Sequence, residues 1–558
     1  MNLVFDQIYA PIAGSIGWSA LFAVIPILYF FWALAIRRMK GHIAATTTVL
    51  LAIIDAILVF HFPFDKAISS TIFGMLTGLW PIGWIVLAAV FLYKITVKTG
   101  KFDIIRHSIS GLTEDRRIQA LLIAFSFGAF LEGAAGFGAP VAIAGAMLVG
   151  LGFNPLYAAG LCLIADTAPV AYGAIGIPIT ALATATHSNA MFLSQMVGRQ
   201  LPLMSLILPS WLVVVMSGWK GLKQVFPAAL TAGLSFSITQ YLVSNFVGPE
   251  LPDVLSALVS LVSLVILLKF WQPKEIFRFK GELQTSGAEM AASLERGVEG
   301  KPAPKYGSAS VFHAWSPFIV LTLVIIAWTL GPVKKLLSHY TIMVNWPDLH
   351  KLVMKVQPIA AKPTALSAQF KFDILGATGT AILFAAFLTM FICGQTLRQW
   401  LKTFAETCYE LRYPLLTIAA VVGFGQLMNF SGMSATMALA LAATGVLFPF
   451  FAPVLGWIGV FLTGSDTSSN LLFGNLQQLT AQQLHINPYL TMGANSSGGV
   501  MGKMISPQSI AVGTSATGLI GREGDLYRFT IKHSLLFLLL VCILTVIQAY
   551  VFPGMIPG

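Results

Sequence analysis

Four ionisable residues stand inside long apolar stretches of this chain: Glu132, Asp166, Asp466 and Lys503. A charge at membrane depth costs about 2.5–3.5 kcal/mol on insertion scales, so residues kept there have a use by default. Lys503 is the natural counter-ion for the carboxylate of a small substrate. Glu132, Asp166 and Asp466 are candidate proton carriers, because a buried carboxyl escapes the cost of desolvating its charge when it binds a proton. The competing reading is an internal ion pair that only ties helices together.

Each of these residues has polar or small neighbours. Glu132 opens the run Gly133-Ala-Ala-Gly136-Phe-Gly138-Ala-Pro140. Gly136 and Gly138 would let backbone come close to a small ligand, although small residues also serve tight helix packing. Asp166 opens Asp-Thr-Ala-Pro169, with Tyr172 and Gly173 beyond it. Asp466 lies in Gly464-Ser465-Asp-Thr467-Ser468-Ser-Asn470. Lys503 follows Asn495, Ser496 and Ser497 and precedes Ser506-Pro-Gln508. Polar groups beside helix breakers at mid-span depth suggest unwound backbone around a site. We therefore expect Gly136, Gly138, Tyr172, Ser465, Thr467, Ser468, Asn495, Ser496, Ser497, Lys503, Ser506 and Gln508 to bind substrate, and Glu132, Asp166 and Asp466 to couple protons.

Other chemistries find no support. Gly498-Gly-Val-Met-Gly-Lys503 imitates a phosphate loop, but Met504 replaces the magnesium-binding Ser/Thr and no strand precedes it. The glycines after Glu132 are out of order for a dinucleotide fingerprint. Cys162, Cys393, Cys408 and Cys542 are scattered, which suggests neither a disulfide framework nor a zinc site. His61, His187 and His339 read as loop or interface residues. We expect no metal, no cofactor and no enzyme activity. An ion channel would need a repeated filter from several subunits, which the two unlike polar runs do not suggest.

The elements that must hold these residues follow from composition. The chain has 558 residues, 56% hydrophobic and 10% charged. Soluble domains hold about 25% charged residues, so the chain is expected to be an all-α integral membrane protein. We read about twelve spans from runs long enough to cross the bilayer: 15–36, 43–60, 69–97, 155–183, 201–219, 222–247, 252–270, 313–331, 372–394, 413–430, 487–515 and 533–552. The first run lacks a basic flank and a cleavage site, so it reads as a retained span. The net charge of +11 comes from short basic loops that fall on one face, which is cytoplasmic by the positive-inside rule, with both termini outside. That explains the charge without nucleic acid.

Two apolar segments, 118–151 and 452–484, are broken in mid-course and read as re-entrant hairpins, each arm about a dozen residues and too short to span. They head an internal repeat. Phe130-Leu-Glu-Gly133 resembles Phe461-Leu-Thr-Gly464, and Asn154-Pro155 resembles Asn487-Pro488 at similar spacing. The expected organisation is a first repeat over 1–219, two linking spans over 220–270, a cytoplasmic linker over 271–312 and an inverted second repeat over 313–558. Inverted repeats with broken helices are the architecture of many secondary transporters, with the substrate where the broken segments meet. A bundle carrying both hairpins, sliding on a scaffold in an elevator-like cycle, is the expected mode of action.

These residues also carry a resemblance. Phe130-Leu-Glu-Gly-Ala-Ala-Gly-Phe-Gly-Ala-Pro140, Leu156-Tyr-Ala-Ala-Gly-Leu-Cys162, Gln195-Met-Val-Gly-Arg-Gln-Leu-Pro202, Gly248-Pro-Glu-Leu-Pro-Asp253 and Gly502-Lys-Met-Ile-Ser-Pro-Gln508 are similar to stretches of the bacterial lactate permease family. The likeness runs almost the whole chain. It implies proton symport of L-lactate, often with D-lactate and glycolate, across the bacterial plasma membrane. The expected partners are therefore the substrate, the proton and the lipid bilayer, with a homodimer left open.

Overall fold

A computed structural model describes residues 4–33, 37, 39–110, 112–134, 136, 139–279, 306–360, 362–519 and 522–557. Among the described residues, eight helices are long and apolar enough to cross a membrane, or up to ten if each of two sharply bent pairs is one span. The chain is thus a multi-pass membrane protein. Large apolar side chains such as Leu58, Phe246 and Phe270 are exposed on its surface, as expected of helices that face lipid.

One stretch folds back on itself where the sequence expected two spans. Helix Leu201–Phe246 runs 46 residues, about 69 Å if straight at 1.5 Å per residue. It breaks at Gly218, whose φ of 68° reverses the chain. Ser205 Oγ then donates to Gln240 Oε1 at 2.8 Å, so the two arms lie side by side.

Three elements depart from the sequence reading. Helix Leu397–Ser431 starts well before residue 413, and its polar start is held by Lys94 on Glu410 and Lys98 on Glu406. Helix Met433–Ala442 was not expected at all; it meets the following apolar helix at 106°. The loop 332–371 holds short strands within an otherwise helical protein. Thr341–Asn345 pairs antiparallel with Gln369–Asp373, and Val353–Lys355 pairs with Phe5–Asp6 and Thr364–Ala365. Strands of two to five residues give too little alternation to read. Of the expected linker, residues 280–305 lie outside the described residues.

Two large apolar cores divide the chain. One gathers the first hairpin, the folded-back pair and the last helix around Phe125, Phe127, Phe130, Val500, Met501 and Phe537. The other gathers the early helices and Leu397–Ser431 around Phe73, Phe91, Phe424, Leu427 and Phe430, with the return arm of the second hairpin.

Candidate functional site

Lys503 is the last residue of helix Pro488–Lys503, where the carbonyl ends of a helix favour a cation. Its Nζ lies 2.7 Å from Glu132 Oε1 and 3.2 Å from Asp166 Oδ2. The three side chains are 7%, 5% and 1% exposed. They come from three elements: the first hairpin tip, the C-cap of helix Pro155–Ala165, and the helix that follows the second hairpin. One cation between two carboxylates leaves the trio one charge negative when all are ionised. Breaking a buried pair by removing one partner costs about 3–5 kcal/mol.

Backbone after Asp166 is unwound, as the breakers suggested, whereas Asn495, Ser496 and Ser497, also expected on unwound backbone, lie within the unbroken helix Pro488–Lys503. After Asp166 the chain makes turns and one 3-10 turn at Val170–Tyr172. Ala174, Ile175 and Gly176 then take φ of 44°, 62° and 73°. Left-handed backbone at a non-glycine residue costs about 1–3 kcal/mol, least defensibly at a β-branched isoleucine, and such strain clusters at functional sites. Gly173 makes the approach possible, because a Cβ there would lie 2.7 Å from Glu132 Oε1.

The second hairpin turns at Gly464, with φ of 70°, between helices Phe448–Thr463 and Asp466–Gln483. Ser465 caps the return helix by accepting from Ser468 N at 3.2 Å. Asp466 Oδ2 accepts from Ser496 Oγ at 2.6 Å and from Asn470 Nδ2 at 3.1 Å. Asn495 Nδ2 donates to Asn470 Oδ1 at 2.9 Å, and Gln477 Nε2 donates to Asn495 Oδ1 at 3.1 Å. This chain of amides and hydroxyls is buried throughout.

A cavity of about 1020 Å³ meets both tips. That is at the upper end of small-ligand sites, about 300–1,000 Å³. Glu132, Gly136, Ser465, Asp466, Thr467, Ser468, Lys503 and Gln508 all line it. So do the first turns of helices Asp466–Gln483 and Pro507–Thr517, where Ser465 and Ser506 each cap one N–H and the positive end of the helix favours an anion. The remaining candidates do not line it. Asp166 stands behind Lys503. Tyr172 is fully buried, its hydroxyl donating to Ser194 O at 2.7 Å. Asn495 and Ser496 brace Asp466, and Ser497 Oγ is buried without a partner. Ser506 caps the next helix, bonding Ser509. Gly138 lies outside the described residues. Sequence reasoning missed Asp253, which is buried in this same charged neighbourhood; it stands at a span boundary in Leu251-Pro-Asp253 and was not singled out. Among the described residues, no group of His, Cys, Asp and Glu is placed to hold a metal ion.

The fold and site therefore define a helical multi-pass membrane protein whose buried charges meet at one cavity between two broken hairpins. The chain belongs to the L-lactate permease family, whose sequence pattern matches residues 19–552. It is 56% identical over 566 residues to the L-lactate permease of Bacillus subtilis (strain 168), covering 99% of this chain and 100% of that one. It is 53% identical over 561 residues to the glycolate permease GlcA of Escherichia coli (strain K12), covering 99% and 100%. The L-lactate permease of the same strain is 51% identical over 563 residues, covering 100% of each. Among solved structures, the Alcanivorax borkumensis YdaH transporter overlaps 88% of this chain and 90% of its own at 14% identity and a TM-score of 0.46, too loose a likeness to bear on the fold.

Proposed function

We propose that this protein is a secondary transporter that carries L-lactate, D-lactate and glycolate with a proton across the bacterial plasma membrane. One observation supports this most: a buried lysine faces a cavity of small-ligand size and is held there by a carboxylate, the group a substrate carboxylate would replace. The names of the relatives, lactate and glycolate permeases, point to the substrate class.

The cycle follows from charge. The substrate carboxylate takes Lys503 and displaces Glu132. Glu132, then unpaired in a desolvated site, binds the proton that travels with the substrate. One lactate anion with one proton adds no net charge, so membrane potential, worth ~2.3 kcal/mol per charge per 100 mV, does not drive uptake and the pH gradient does. Ser465, Thr467 and Ser468 at the second tip offer hydrogen bonds to the 2-hydroxyl.

The cavity reaches Met39, His42, Tyr413 and Arg528, beside the loops that positive charge assigns to the cytoplasm. It is therefore read as open inward, with both termini outside. The paired hairpins support inverted repeats over 1–219 and 313–558, and we infer an elevator-like slide of a bundle carrying both hairpins. The test is labelled lactate in proteoliposomes of purified protein. Uptake above equilibrium under an imposed inward pH gradient at zero potential is expected. Equilibration without accumulation contradicts proton coupling, and no saturable lactate entry contradicts the substrate.

A further inference from the structure

Asp253 is a buried carboxyl that the transport cycle above does not use. It sits in the first turn of helix Pro252–Phe270 and is 1% exposed. Neither of its oxygens accepts a hydrogen bond. A Cβ on Gly133, the residue after Glu132, would lie 2.8 Å from Asp253 Cβ, so Asp253 touches the first hairpin tip. Glu132, Asp166 and Lys503 are within electrostatic reach, as is Tyr172. Gln240 lies alongside, one N–H of its amide donating to Ala168 O at 3.1 Å and neither making a hydrogen bond to Asp253. The Tyr172 hydroxyl is spent on Ser194.

Two effects compete for the charge of this carboxyl. The helix start favours an anion by at most ~2 kcal/mol. Desolvation of an ion costs several kcal/mol, repaid only by a close counter-charge and good hydrogen bonds. Lys503 is already shared by Glu132 and Asp166, and an ionised Asp253 would take the cluster to two net negative charges. Desolvation wins.

We propose that Asp253 holds a resident proton, a neutral carboxylic acid that keeps the site's charge low enough to admit a substrate anion. Glu132 lines the cavity and Asp253 does not. Water and its protons thus reach Glu132, whereas the proton on Asp253 stays through the cycle. The consequence for transport rests on the function proposed above; the protonation itself does not.

Infrared spectroscopy of the full chain in lipid, grown with carbon-13 aspartate, tests this at neutral pH. A protonated carboxyl stretch that shifts with the label should be present. It should vanish in D253N and persist in D166N, in D466N and in D55N, a variant at the buried aspartate of helix Gly41–Leu58. An absent band, or one lost in any of the latter three and kept in D253N, overturns the proposal. If D253N does not reach the membrane, the triple variant D55N/D166N/D466N decides: a band that persists there supports the proposal and a band that is lost overturns it. In proteoliposomes D253N, isosteric with the neutral acid, should keep the pH-driven accumulation ratio within about twofold. Exchange without accumulation in D253N overturns the resident proton, since that proton would then leave in each cycle. Failure of the wild type to move lactate would refute the proposed function and leave the infrared result standing.

Discussion

The two hairpin tips each bury one carboxyl, and they neutralise it by opposite means. Glu132 rests on a lysine, a full charge on a flexible stem. Asp466 rests on Ser496 and Asn470, neutral dipoles that Asn495 and Gln477 hold in turn. In the proposed cycle a substrate anion competes for the lysine. It gains nothing from displacing Asp466, whose donors are committed inside the fold. The difference separates a carboxyl that can change partners from one that fixes a shape, although both line the cavity.

The largest effect should come from the shared cation. K503M should weaken lactate binding at least about 30-fold, since truncating one side of a buried charge pair costs about 2–5 kcal/mol. Because K503M also strands Glu132 and Asp166, the double variant K503M/E132Q should recover thermal stability in detergent without recovering binding. Isothermal titration on both variants checks this. Recovered binding in the double variant would mean that Lys503 serves only to pair Glu132.

The second tip should answer differently. D466N keeps an acceptor for Ser496 but places an amide donor against the network, a loss of about 1–3 kcal/mol if one buried group is left unpaired. It should lower the melting temperature and leave the ratio of protons to lactate unchanged, read from the reversal of flux against imposed gradients. A changed ratio would reverse the comparison and make Asp466 a coupling residue.

A smaller effect concerns specificity. Propionate lacks the 2-hydroxyl, so it should compete for lactate uptake about tenfold more weakly, the worth of one hydrogen bond and the donor it leaves unpaired. Equal competition would remove Ser465, Thr467 and Ser468 from the site. The least effect is expected from Tyr172→Phe, whose hydroxyl serves Ser194: lactate affinity within about twofold, with any loss seen in stability, as for one neutral hydrogen bond.

Much of the site was legible because charge inside an apolar run is conspicuous. Glu132, Asp466 and Lys503 were found that way, and all three reach one cavity. Both hairpin breaks were legible from Gly133–Gly136 and Gly464–Ser465. What could not be read was partnership. Asn495 and Ser496 looked like substrate ligands, but they are the second layer behind Asp466, which only three-dimensional contact reveals. Asp253 escaped notice because it stands beside Pro252 at a span start, where an aspartate ordinarily faces water. Helix Met433–Ala442 escaped because its ten residues are too few to span, and the strands of loop 332–371 escaped because they are shorter still.

The exchange of partners on Lys503 is tested most directly by E132Q beside wild type in the same proteoliposomes. The amide imitates the protonated acid, so lactate counterflow should continue at zero gradient. Wild type should concentrate labelled lactate under an inward pH gradient, whereas E132Q should only equilibrate it. If E132Q concentrates lactate as wild type does, Glu132 does not carry the coupled proton, and the account of the first hairpin tip as the switching carboxyl is contradicted.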